Sequence, residues 1–111
     1  MKIRVDEYDA FVAITLEEER LDSSVSPQFK SDLVVKHSEG CINMLLDLSA
    51  VNYIDSSGLS ALLVANRLCT GSGGKLVLTG LTSFVVGLLQ ISRLDSLLLV
   101  APDFESAQKI F

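Results

Sequence analysis

The segment Ser57 to Cys69 is apolar over a longer stretch than a β-strand normally spans, so it reads as a helix. A short apolar run of strand type lies on each side of it, Cys41 to Leu48 before and Lys75 to Thr79 after, each bounded by turn residues. A helix between two such strands is a crossover unit. It joins parallel strands by a right-handed connection, and helices then cover at least one face of the sheet.

The pattern extends to both ends of the chain. Met1 to Glu7 alternates Ile3 and Val5 with charged neighbours, and Ala10 to Leu16 is β-branched and aromatic, which predicts two antiparallel strands turning at Tyr8-Asp9. Ser26-Pro27 offers a polar N-cap and a proline at the first helical position, with Phe29, Leu33 and His37 recurring every four residues up to Gly40. Thr82 to Ser92 reads as a third helix, Leu97 to Val100 as the last strand and Asp103 to Phe111 as a closing helix. The expected order is ββαβαβαβα, an α/β fold with one mixed sheet packed with about four helices. Ile14, Leu46, Leu48, Leu62, Val77 and Leu99 are its expected core. With aliphatic residues spread from Ile3 to Ile110, the 111 residues are expected to form a single domain, 1–111.

Charge and composition exclude several function classes. A net charge of −5 with no basic patch argues against nucleic acid and anionic membrane and in favour of a protein partner. No apolar run approaches the roughly 18 to 20 residues of a membrane span, and the opening residues lack the apolar core of a secretory signal, so a cytoplasmic protein is expected without membrane insertion. Cys41, Cys69 and His37 are isolated and suggest neither a disulfide framework nor a metal site, and no cofactor is implied. Gly71-Ser72-Gly73-Gly74-Lys75 lacks the spacing of a phosphate loop and lies between helix and strand, so it reads as a helix stop. With no Gly-x-Ser-x-Gly elbow and no partner for His37, no catalytic residue is assigned and an enzyme is not expected. The run Glu17-Glu18-Glu19 reads as a solvated loop.

One turn stands apart. Tyr53-Ile54-Asp55-Ser56-Ser57-Gly58-Leu59 sets a carboxylate and two hydroxyls at the start of an apolar helix, where Asp55, Ser56 or Ser57 can act as N-cap. At 100° per residue, Gly58, Leu62, Ala65 and Cys69 share one side, while Ser56, Ser57, Ser60, Val64 and Arg67 share the other. This outward side is flanked by Leu63 and Leu68 and is more apolar than a solvated face requires. It either receives a partner or packs beneath a neighbouring loop or helix.

The stretch Leu45-Leu46-Asp47-Leu48-Ser49-Ala50-Val51-Asn52-Tyr53-Ile54-Asp55-Ser56-Ser57-Gly58-Leu59 resembles the signature of the STAS domain family, in particular the bacterial anti-sigma factor antagonists. Leu21-Asp22 resembles the Leu-Asp after the family's second strand, and Gly73 to Leu78 resembles its later half. The resemblance implies that Ser56 is phosphorylated by an anti-sigma factor that is itself a serine kinase and dephosphorylated by a metal-dependent serine phosphatase. The switch turn is then Asp55, Ser57 and Gly58, and the outward helix face with Ser60, Val64 and Arg67, together with Asp22, is where the partner is expected to make contact. On that pattern the unphosphorylated form binds the anti-sigma factor and frees the sigma factor. A STAS binding module without a phospho-switch, in a signalling scaffold or a membrane-transport complex, is the alternative. Family members usually carry a glycine where this chain has Glu19.

Overall fold

The computed structural model describes residues 1–111. Strands β1 (Ile3–Glu7) and β2 (Val12–Leu16) pair antiparallel, with Ile3 opposite Leu16. The Tyr8 N–H donates to the Phe11 carbonyl at 3.0 Å and closes the turn between them. From β2 onward every neighbour is parallel: β2 with β4 (Met44–Asp47), β4 with β6 (Leu76–Thr79), β6 with β7 (Leu99–Ala101). The resulting sheet runs β1-β2-β4-β6-β7 and is mixed, as the sequence predicts.

Strand alternation divides the apolar residues between two layers. Ile14, Leu46 and Leu78 point to the face covered by α1 (Ser26–Ser38), α2 (Ser56–Gly71) and α3 (Ser83–Ile91), where the main core lies. Ala13, Leu45 and Val77 point to the opposite face, closed by the short α4 (Phe104–Gln108) and by Phe11, Ile110 and Phe111. Because both faces are covered, Met44-Leu45-Leu46 and Leu76-Val77-Leu78 are unbroken apolar runs.

Ile14, Leu46, Leu48, Leu62 and Val77 are buried as expected, but Leu99 is 44% exposed. It sits opposite Val77 on the last strand of the sheet, with no further strand beside it and only five residues of α4 to shield that face. The strand also starts later than predicted, since the N–H groups of Leu97 and Leu98 both donate to the Leu94 carbonyl in a turn. Ser26 is not an N-cap. That position is held by Val25, and the Asp22 carbonyl accepts from the N–H of both Val25 and Ser26, so Ser26 becomes the buried first residue of α1.

Two strands exist that were not predicted, β3 (Arg20–Leu21) and β5 (Tyr53–Ile54), which pair in parallel as a separate two-stranded sheet. After α2, Gly73 adopts φ +84° and the chain reverses against the 41–43 segment. A side chain on Gly74 would collide with the Ile42 carbonyl, which fixes this turn as structural.

Cys69 is buried in the main core and Cys41 is half-buried beside it. Burial pushes the Cys69 thiol up to about 11, with a smaller contribution from Cys41. Iodoacetamide at about pH 8 is therefore expected to alkylate Cys41 in the folded protein and Cys69 only after denaturation, as peptide mass spectrometry would show. Equal labelling of both in the native state would contradict this.

Candidate functional site

The small parallel sheet is what builds the site. Pairing of Leu21 with Ile54 draws the loop after β3 alongside the loop before α2, so Asp22 and Ser23 lie beside Asp55. The Asp55 N–H donates to the Leu21 carbonyl at 3.3 Å, and the Asn52 N–H to the Glu19 carbonyl at 2.7 Å. Two segments far apart in sequence are thus locked together at the amino end of α2.

Asp55 is the N-cap of that helix, with extended backbone. Its Oδ1 accepts from the N–H of Ser57 at 2.9 Å and of Gly58 at 3.1 Å, and from the Ser57 hydroxyl at 2.5 Å. Its Oδ2 accepts from the Ser23 N–H at 3.2 Å. One carboxylate therefore caps the helix and ties it to the β3–α1 loop. Gly58 faces inward, where a methyl group would stand 2.8 Å from Ile54 Cγ2 and would also collide with the Leu21 carbonyl.

The two serines have different fates. Ser57 does not face outward as the wheel suggests, because its hydroxyl donates to Asp55 and also lies 3.1 Å from the Ser26 hydroxyl on α1. Ser56 is exposed, and its hydroxyl makes no hydrogen bond within the chain. Ser60 and Arg67 are exposed further along the same helix, Val64 is half-buried, and Leu63 packs against the core. Ser57 and Ser60 line a shallow depression with Pro27 and Lys30 of α1.

On the other flank, Asp22 Oδ1 accepts from the Ser24 N–H and hydroxyl at 3.0 and 2.6 Å, while Oδ2 meets Arg20 Nε at 3.1 Å. The Arg20 guanidinium stacks 4.1 Å above the Tyr53 ring, and Tyr53 meets Phe84 of α3 with ring centroids 5.9 Å apart. Arg20, Ser23 and Phe84 were not found from the sequence, and Tyr53 was read only as the start of the turn. Their only signal lies in the pairing of two two-residue strands, too short to carry a period.

Both carboxylates are held below the ordinary carboxylate range. For Asp55 the main cause is the Ser57 hydroxyl; burial, the next in size, opposes it, and the N–H groups of Gly58, Ser57 and Ser23 each add a smaller lowering effect. For Asp22 it is the Ser24 hydroxyl, then Arg20. A group whose folded pKa is depressed stabilises the fold fully above its unfolded value, about 3.9, and loses that contribution as pH falls through the folded value. Urea midpoints measured between about pH 5 and about pH 2.5 should therefore fall, and fall less in Asp55→Asn, which retains a capping oxygen without the titration. Identical slopes in the two proteins would show that Asp55 contributes nothing to acid lability.

The model of the STAS domain matches residues 2–107. The chain belongs to the STAS domain family. It is 29% identical over 111 residues to BtrV of Bordetella bronchiseptica, which bears the name of an anti-sigma factor antagonist, covering 100% of this chain and 95% of that one. Among solved structures, a Thermotoga maritima protein of similar naming superposes with a TM-score of 0.87 at 21% identity, over 96% of this chain and 92% of the other. The antagonist SpoIIAA of Bacillus in its phosphorylated form superposes at 0.75 with 18% identity, over 99% and 100% of the two chains. At these identities the solved structures speak for a shared fold. No helix of this STAS chain is long and apolar enough to cross a membrane.

Proposed function

We propose that this protein is an anti-sigma factor antagonist, a non-catalytic binding domain in which Ser56 is the phosphoacceptor and the first half of α2, with Asp22, meets the partner. The single observation that carries the reading is the contrast between the serines. The Ser57 hydroxyl is committed to Asp55, whereas the Ser56 hydroxyl is exposed and unengaged at the first position of α2. A kinase needs a hydroxyl it can reach and orient, and only Ser56 offers one at this turn. BtrV and SpoIIAA, both named as antagonists, support assigning that role to this family member.

In this reading a serine kinase of the anti-sigma type and a metal-dependent serine phosphatase act on the turn, within the cytoplasm. Exposed Ser60 and Arg67 and half-buried Val64 continue the contact surface along α2. Incubation with the cognate kinase and ATP, followed by phosphopeptide mapping, should place the modification on Ser56. Phosphate on Ser57 would move the acceptor by one residue, and none on either serine would favour a STAS module without a switch. Val64→Asp should weaken binding of the anti-sigma partner, by about tenfold or more, because it puts an unpaired charge into a surface that must be desolvated. Titration calorimetry reads this, and unchanged affinity would remove that part of α2 from the interface.

A further inference from the structure

The two edges of the main sheet differ in character. At β1, Lys2, Arg4, Asp6 and Glu7 line the edge, and Arg4 pairs with Asp6 at 3.3 Å; such charges keep another strand from adding. At the opposite edge, β7 is Leu99-Val100-Ala101 and carries no charge. The surface around it is unusually apolar. Six of the eleven large hydrophobic residues exposed in the chain lie between positions 84 and 100, with Ile91 at 84%, Leu97 at 61% and Phe84 at 51%. Helix α3, Ser83 to Ile91, has no charged residue on any side, the composition of a helix buried all round, yet only Val85 and Leu89 are buried. Between α3 and β7 lies a depression of about 310 Å³, lined chiefly by Leu81, Val86, Leu89 and Leu98 to Val100. An exposed apolar surface of this kind marks a covered face.

We propose that α3 and the free edge of β7 form the contact between two copies of this chain. A sheet edge is self-complementary: rotated about a two-fold axis, β7 meets its copy antiparallel, and each edge supplies the N–H and C=O groups the other lacks. Charge favours the same occupant. Between residues 81 and 101 the only charged side chains are Arg93 and Asp95, so this face is neutral in a chain of net charge −5, and two copies repel each other elsewhere. Neither residue has an ion-pair partner in its own chain, and the two-fold relation allows Arg93 of one copy to answer Asp95 of the other. The strand contributes few hydrogen bonds because it is only three residues long, so burial of Ile91, Leu97 and Leu99 supplies most of the affinity. The contact uses none of Asp22, Ser56 or Val64 and stands independently of the antagonist reading.

Sedimentation equilibrium of the full chain between about 10 and about 500 µM, the range in which small interfaces associate, tests it. The mass-average should rise from 12.0 kDa toward twice that value. Leu99→Lys and, separately, Leu97→Lys should each raise the dimer Kd at least about tenfold. Arg4→Glu, on the β1 edge, should leave it unchanged. Arg93→Asp should weaken association, and adding Asp95→Arg should restore it. All these positions are exposed, so thermal midpoints should stay near that of the parent chain. A monomer at the highest concentration, a dimer indifferent to both lysine substitutions, or one disrupted by Arg4→Glu would each overturn the proposal.

Discussion

Ser56→Ala is expected to hold the anti-sigma partner in the presence of kinase and ATP, conditions under which, on the proposed switch, the parent chain should be phosphorylated and released. The substitution removes a hydroxyl that bonds to nothing in the chain, while the cap on α2 is Asp55 and stays in place. Folding should change by less than about 1 kcal/mol, the upper end of what losing a minor capping hydroxyl costs. Phosphate on Ser56 has the opposite consequence. It adds roughly −1.5 to −2 charges at a helix amino end, where the dipole tolerates an anion, so the fold survives. On the proposed switch the effect should fall on the complex, where the phosphate would have to be desolvated near the carboxylates of Asp55 and Asp22. A loss of about 3 kcal/mol weakens binding about a hundredfold. Ser56→Asp should reproduce part of that loss, because one carboxylate carries less charge than a phosphate. Calorimetry with the purified partner decides the matter, and tight binding by a fully phosphorylated chain would refute the mechanism.

The large elements were legible because each carries its own period. Val12 to Leu16, Met44 to Asp47 and Leu76 to Thr79 are short apolar runs between turn residues, and Phe29 and Leu33 mark the buried stripe of α1. The inner face of α2 was also correct, since Gly58, Leu62, Ala65 and Cys69 are all buried. What escaped was whatever depends on distant partners. Arg20-Leu21 and Tyr53-Ile54 are strands only because they pair with each other, and two residues hold no pattern. Ser57 lies on the outer arc by helical angle, yet a carboxylate two residues back draws its hydroxyl inward. Leu99 has the composition of a core strand, and its exposure follows from being last in the sheet, which composition does not encode.

Gly58→Ala and Gly87→Ala should shift stability in opposite directions, although both replace a helical glycine by the best helix former. Intrinsic propensity favours alanine by about 1 kcal/mol in each case. At Gly87, in the middle of α3, a methyl group meets nothing within 4 Å, so the gain is realised and the protein should become more stable by up to that amount. At Gly58 the methyl group meets the Leu21 carbonyl and stands 2.9 Å from Leu21 Cγ, and the first of these neighbours is backbone that cannot rotate away. Accommodation requires α2 to move off β3, an overpacking cost of roughly 1–3 kcal/mol that outweighs the propensity. Gly58→Val should cost about 3 kcal/mol or more, since it adds two methyl groups beyond a Cβ that already collides with the Leu21 carbonyl. The same displacement carries the β3–α1 loop away from Asp55, so the bond from the Ser23 N–H to Oδ2 should break, and amide exchange at Ser23 should accelerate. Urea denaturation of the three variants measures the sign directly. A rise in midpoint for Gly58→Ala equal to that for Gly87→Ala would mean that the small sheet yields freely and does not hold the switch turn in place.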